Sequence, residues 1–385
     1  MKIVLAPDSF KESLSAVLVA EALERGVRRA APDARVEKIP IADGGEGTVE
    51  VLVNATGGEF VEQRVTGPLG ASEGDAPVTA RYGLLATRSP KTAVIEMAAA
   101  SGLPLVPPEK RNPLLTTTFG AGELIRSALD HGAREIVIGI GGSATVDGGA
   151  GMAQALGVRL IDNDGKELLF GGGALSRLAH IDISRLDSRI GATGIDVACD
   201  VQNPLVGPSG AARVYGPQKG ATPDMVRILD DNLAHFADVV AGDLGVSIAQ
   251  MPGAGAAGGL GGGLVAFLRA RLRPGFDIVA DIVRLDEKLR GADLVITGEG
   301  RMDGQAIFGK APIGVARRAA KSGAPVVAIV GSLGEGWERV LDHGIDACFT
   351  ITPGPMSLAD AIQNAPALVE RAAEQVVRLF LAKRV

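Results

Sequence analysis

The chain has 385 residues and a formal charge of −6, with 46% hydrophobic, 22% charged and only 3% aromatic residues, and 53 glycines. That is the make-up of a globular protein long enough for two domains, and its acidic balance argues against nucleic acid or an anionic membrane as partner. Two distant cysteines and four scattered histidines show no zinc spacing. No basic leader and no apolar run of ~20 residues is present, so a cytoplasmic protein without signal peptide or membrane span is expected.

Short β-branched runs alternate with amphipathic ones along the chain. Strands are predicted at Lys2–Ala6, Val36–Ile41, Thr92–Glu96, Glu135–Ile140, Ile195–Cys199, Asp293–Thr297, Pro325–Val330 and Ala347–Ile351. Helices are predicted at Ala16–Arg29, Gly120–His131, Pro223–Ala241, Pro312–Ser322, Glu335–His343 and Ser357–Ala382. In the first helix Val17, Leu18, Ala22, Leu23 and Val27 recur at helical spacing, and Pro32 ends the pattern. Between residues 59 and 98, Glu59–Val65, Ala76–Tyr82 and Thr92–Glu96 follow one another without helices, which predicts an antiparallel or mixed patch. The expected architecture is α/β with two domains. Residues 1–60 and 285–385 would form a discontinuous Rossmann-like parallel-sheet domain. Residues 61–284 would form an inserted mixed α/β domain carrying the Gly-rich loops, with the active site in the cleft between the two.

The chemistry is concentrated in the turns that end the strands. Ala6-Pro-Asp-Ser-Phe-Lys-Glu-Ser13 places Asp8, Ser9 and Lys11 where open α/β sheets bind ligands; the plainer reading is a helix start capped by Ser13 or Ser15. Pro40-Ile-Ala-Asp-Gly-Gly-Glu-Gly47 repeats the pattern with Asp43 and Glu46, which also have the spacing of a capping box. The run Gly139-Ile-Gly-Gly-Ser-Ala-Thr-Val-Asp-Gly-Gly-Ala-Gly151 leads from a strand into a predicted helix at Met152–Leu156. Its backbone N–H groups, with Gly141, Gly142, Ser143, Thr145 and Asp147, suit a phosphate or a metal-chelated nucleotide, or simply a tight connection. Asp200 and Asn203 after the fifth predicted strand suit Mg²⁺ or an Asx turn, and Lys219 suits a phosphate or solvent. Pro252–Gly263 holds seven glycines, Gly253, Gly255 and Gly258 among them; it reads as a structured loop that either wraps a ligand or packs closely. Finally, Thr297-Gly-Glu-Gly-Arg-Met-Asp-Gly-Gln305 offers Glu299, Arg301 and Asp303. Gly304 to Lys310 has Walker A spacing, but Ala311 stands where Ser or Thr would hold Mg²⁺, so a standard P-loop is rejected and Lys310 is kept as a phosphate contact.

Taken together these turns resemble the bacterial glycerate kinase family of the type called type I, over nearly the whole chain. The resemblance is carried by Ala6–Lys11, Pro40–Thr48, Gly141–Thr145 with Asp147–Gly149, Pro217–Ala221, Pro252–Gly259, and Thr297–Arg301 with Asp303 and Gln305. It implies a kinase that uses ATP and Mg²⁺ to phosphorylate D-glycerate, usually to 2-phosphoglycerate. The alternatives are a 3-phosphoglycerate product, another small hydroxy acid, or, more remotely, a non-catalytic acid sensor. On this reading Asp8, Asp43, Asp200 and Glu299 are candidates for base or metal ligand, with Asp200 and Glu299 chosen for the metal. Lys11, Ser9, Arg301 and Asp303 face glycerate. Gly141, Gly142, Ser143, Thr145, Asp147, Lys219, Gly253, Gly255 and Gly258 face ATP, and Lys219 or Lys310 neutralises the transition state. The sequence leaves the oligomeric state open, a homodimer included. Glu12 departs from a frequent Gly, Val146 from Asn, and Ala306 from Thr or Ser.

Overall fold

The computed structural model describes residues 1–70, 77–86 and 89–382. Ala76, where one middle strand was expected to begin, lies outside them. The chain forms two compact units: Met1–Asp43, Glu50–Ala55 and Phe276–Val385 make the first, and Gly44–Val49 with Thr56–Gly275 the second.

The first unit is built on a five-stranded sheet in the order Ala347–Thr350, Val326–Val330, Leu294–Gly298, Lys2–Pro7, Arg35–Lys38. Every pairing in it is parallel, as strand–helix alternation predicts. The helices Ala16–Ala30 and Ala365–Ala382 pack together over Ile3, Leu5, Ile296 and Ile329, burying Val19, Leu23, Val27, Val369 and Val377. Their axes can approach because a Cβ on Gly26 would collide with the Glu370 carbonyl. Strand order reverses between Lys2–Pro7 and Leu294–Gly298, the place where open parallel sheets leave a crevice at their C-terminal ends.

The second unit has a six-stranded sheet in the order Arg271–Arg273, Gly194–Ala198, Glu135–Gly139, Thr92–Glu96, Val78–Leu85, Glu59–Val65. The first four strands are parallel and the last two antiparallel, which bears out the expected mixed patch. Leu124, Ile125, Ile136, Ile138, Phe236 and Leu264 lie in its core.

Several predicted elements differ in extent. Strand Arg35–Lys38 stops short of the expected Ile41 because Pro40 has no N–H, although Ile39 and Ile41 still donate to Leu5 and Pro7 carbonyls. The expected helix Ser357–Ala382 is two, Leu358–Gln363 and Ala365–Ala382, with Pro366 in the first turn of the second. Trp337–His343 is a 3₁₀ helix rather than the predicted α-helix from Glu335. The helix foreseen at Met152–Leu156 spans Ala150–Ala155. The last third of the Gly-rich loop is not loop at all: Leu260–Leu268 is an α-helix.

Candidate active site

The register of the first unit's sheet brings two acids together. Ala6 pairs with Thr297 and Pro7 with Gly298, so the chains leave the sheet side by side, and the Asp8 N–H donates to the Gly298 carbonyl at 2.8 Å. Asp8 and Glu299 thus flank the switch point. Asp8 is held by its own turn, where the Ser9 N–H donates to Oδ1 at 2.6 Å. Burial, then the nearby Asp43 and Glu299, push its carboxyl up to about 7. Glu299 is only 8% exposed, and its Oε1 has no hydrogen-bond partner. Lys310 Nζ lies 3.3 Å from Glu299 Oε2 and 3.8 Å from Asp303 Oδ1. Even so, burial outweighs that lysine and raises Glu299 to about 7, with Asp303 and Asp43 adding to the rise. Four acids, Asp8, Asp43, Glu299 and Asp303, therefore crowd one edge of the sheet. Lys11 is exposed in the turn after Asp8, and Arg301 is exposed on the short strand Arg301–Met302. Asp303 also accepts the Gln305 N–H at 3.0 Å.

The Asp43 turn is no capping box. The following helix begins at Thr48, and its Val49 N–H goes to Glu96 Oε1 at 2.8 Å, within the second unit. Glu96 was not singled out from the sequence; a lone Glu ending a predicted strand carries no motif.

The second unit gathers a different chemistry. Gly139 pairs with Ala198, so the glycine turn and Asp200 leave neighbouring strands. Lys219, only 2% exposed, reaches that turn: its Nζ donates to Ser143 Oγ at 2.6 Å and to the Thr145 carbonyl at 2.7 Å. Burial lowers its pKa to about 7, opposed by Asp147. Thr145 Oγ1 is buried without a partner. Gly141 and Gly142 are exposed. Ser143, Thr145 and Lys219, separated by more than seventy residues, are thus one cluster.

Several of the expected ligand-facing groups are engaged within the protein. Asp147 is fully buried and accepts from Thr118 N (2.8 Å), Thr118 Oγ1 (2.9 Å), Gly149 N (3.2 Å) and Gly151 N (3.3 Å). It therefore fills the start of helix Ala150–Ala155, where an anion was expected, with the protein's own carboxylate. Gly253, Gly255 and Gly258 are buried packing positions. A Cβ on Gly255 would strike the Pro204 carbonyl, one on Gly258 the Thr145 carbonyl, and one on Gly253 would come 2.9 Å from Leu272. Asn203 spends its amide inside its own loop, donating to the Ser209 carbonyl (2.8 Å) and accepting from Tyr215 (2.7 Å). Asp200 is exposed and accepts the Gly275 N–H at 3.0 Å; it belongs to the second unit and Glu299, the other expected metal ligand, to the first. Among the described residues no three His, Cys, Asp or Glu side chains are disposed to hold a metal by themselves.

A crowded group of acids at a sheet switch point, with a lysine-backed hydroxyl turn on a second α/β unit, is the equipment of a kinase. The profile of the Glycerate kinase family matches residues 3–381. The chain is 56% identical to the glycerate kinase of Bacillus subtilis (strain 168) over 376 residues, 98% of this chain and 97% of the relative. It is 53% identical to the glycerate 2-kinase of Escherichia coli (strain K12), again over 376 residues and the same shares. A crystal structure assigned to glycerate kinase 2 of Salmonella typhimurium LT2 superposes with a TM-score of 0.90 at 53% identity, covering 100% of this chain and 99% of that one. The chain belongs to the glycerate kinase family, and it is an enzyme. Among the described residues no helix is long and apolar enough to cross a membrane.

Proposed function

We propose that this enzyme transfers the γ-phosphoryl group of ATP to the 2-hydroxyl of D-glycerate in the cytoplasm, giving 2-phosphoglycerate. The observation that carries the reading is the crowding of Asp8, Asp43 and Glu299, each raising the need for a proton or a cation at the same edge. Asp8, with a carboxyl near 7, is the general base that accepts the attacking hydroxyl's proton. Lys11 and Arg301 hold the glycerate carboxylate, and Ser9 and Asp303 its hydroxyls. Glu299, with one buried oxygen lacking a partner, and Asp43 are hard oxygen donors that fit Mg²⁺, which takes one or two carboxylates and completes its shell with phosphate and water. Bound there, Mg²⁺ would neutralise charge on the transferred phosphoryl group. Lys310, beside Glu299, adds a second positive charge.

In the second unit, the exposed Gly141–Gly142 turn and the Ser143 hydroxyl take the phosphate chain of ATP. Because Lys219 donates to Ser143 Oγ, the Ser143 proton is directed away from the lysine and available to a phosphate oxygen. Asp200, exposed at a neighbouring strand end, faces the nucleotide–metal side. The names of the Escherichia coli and Bacillus subtilis relatives support both substrate and product. The test is ADP release with D-glycerate, ATP and Mg²⁺, the product being offered directly to enolase. Glycerate-dependent ADP release with direct conversion by enolase is expected. Release without conversion would mean the 3-phosphate, and no glycerate-dependent release would overturn the substrate.

A further inference from the structure

The second unit holds a cavity of about 460 Å³ that the reading above does not use. It lies at the opposite end of the sheet from the glycine turn: Gly194 and Ile195, which line it, begin the strand that Asp200 follows. Its size falls in the range of small-molecule sites. Leu186, Ile190, Leu244 and Phe267 make its wall largely apolar. Three charged side chains with differing circumstances stand around it. Arg271 is paired with Asp196 at 2.7 Å. Asp243 accepts from His180 at 3.0 Å and from the Ile181 N–H at 2.7 Å. Arg269 has no ion-pair partner among the described residues, and it is an exposed residue that lines the cavity.

Arg269 is also conformationally unusual. It ends the helix Leu260–Leu268 with φ +54°, in the left-handed region where glycine or asparagine is the common choice. Of the cavity's rim charges, Arg271 shares Asp196 with Arg273 and Asp243 is met by the His180 ring, whereas Arg269 is a cation open to an anion beside an apolar wall. The complementary ligand is an amphipathic monoanion.

We infer that this cavity is a second binding site, taking a small monocarboxylate with an apolar body and pairing its carboxylate with Arg269. Such a ligand differs from glycerate, which has hydroxyls throughout and little apolar surface to bury.

The probe is 4-phenylbutyrate, titrated into the full-length enzyme by calorimetry, with 4-phenylbutyramide as its neutral counterpart. Saturable binding of the acid is expected, with the amide at least ten-fold weaker. Arg269→Asn removes the charge while keeping a residue suited to the left-handed backbone, and should weaken the acid at least ten-fold without changing the amide. Lys11→Ala, in the acceptor half of the proposed active site, should leave the acid's affinity unchanged. No saturable binding, equal affinity for acid and amide, or wild-type affinity in Arg269→Asn would each overturn the inference. A ten-fold loss in Lys11→Ala would place the binding at the active site and overturn it as well. None of these outcomes depends on whether D-glycerate is the substrate.

Discussion

The two units meet the same problem with opposite signs. In the first, Asp8, Asp43 and Glu299 are close enough that burial and mutual repulsion hold two of them near pH 7. In the second, Lys219 is buried against a hydroxyl and a carbonyl, neutral acceptors, and loses its proton near the same pH. Each is costly in the unliganded protein and each would be relieved by a ligand of opposite charge, a cation in the first case and a phosphate in the second. Burial raises the Asp147 carboxyl as well, but there four donors meet its oxygens. Glu299 Oε1 and Thr145 Oγ1, by contrast, have no partner.

The largest expected effect breaks the first unit's half of this comparison. Asp8→Asn or Glu299→Gln should lower kcat by about 10²–10⁴-fold, the usual worth of a general base or a charge-stabilising group. The same variants should raise the stability of the unliganded protein. The folded carboxyls keep their protons up to about 7, whereas the unfolded ones lose them near 3.8 and 4.5. Between those values the folded state binds more protons, so this contribution is fully present below about pH 4 and is lost as pH rises to about 7. Denaturant unfolding followed across that window should therefore fall less steeply in either variant. A variant that loses activity and stability together would mark the residue as structural.

Next comes Lys219→Met, which should lower kcat/KM for ATP about 30–100-fold, or about 2–3 kcal/mol. Here the sign of the pH effect reverses. Unfolded lysine holds its proton to 10.5 and the folded one to about 7. The unfolded state binds more protons between those values, so stability from this group is lacking at pH 7 and is gained as pH rises toward 10.5. The variant should lack that rise.

Asp147→Asn sharpens the contrast from the other side. Its amide NH₂ would face N–H donors, so a stability loss of about 2–3 kcal/mol is expected. Turnover per folded molecule should stay within about two-fold of wild type. A hundred-fold loss in kcat with unchanged stability would return Asp147 to the phosphate site from which its burial removes it.

How much was legible beforehand follows from range. Parallel strands and the acids that end them are local patterns, so Lys2–Pro7, Glu135–Gly139 and Leu294–Gly298 were foreseen to within a residue or two. What sequence spacing could not decide was direction. Asp147 and Ser143 sit in one turn, yet one points into the protein's own N–H groups and the other meets a lysine from far along the chain. The glycines of Pro252–Gly263 looked like a ligand loop because a missing side chain leaves room for backbone as readily as for phosphate; here the neighbouring Thr145 and Pro204 backbone takes it. Glu96 was invisible because its partner, Val49 N–H, is supplied by another segment.

The smallest expected effect concerns Glu12, which stands beside Lys11 with φ +65°. A non-glycine residue there pays about 1 kcal/mol or more in backbone strain. Glycine would remove that strain but regain freedom in the unfolded chain worth about 0.5–1 kcal/mol, so Glu12→Gly should stabilise by only a few tenths of a kcal/mol. Its second consequence is electrostatic. Removing an exposed negative charge next to Lys11 should lower KM for D-glycerate about two-fold, with kcat unchanged, and the gain should shrink in high salt. Glu12→Gln separates the two effects, since it removes the charge but keeps the strained backbone. If Gln reproduces the KM change and not the stability change, Lys11 is reading a carboxylate as the first unit's chemistry requires; if neither variant moves KM, Lys11 is a solvated lysine and the glycerate carboxylate must be held elsewhere.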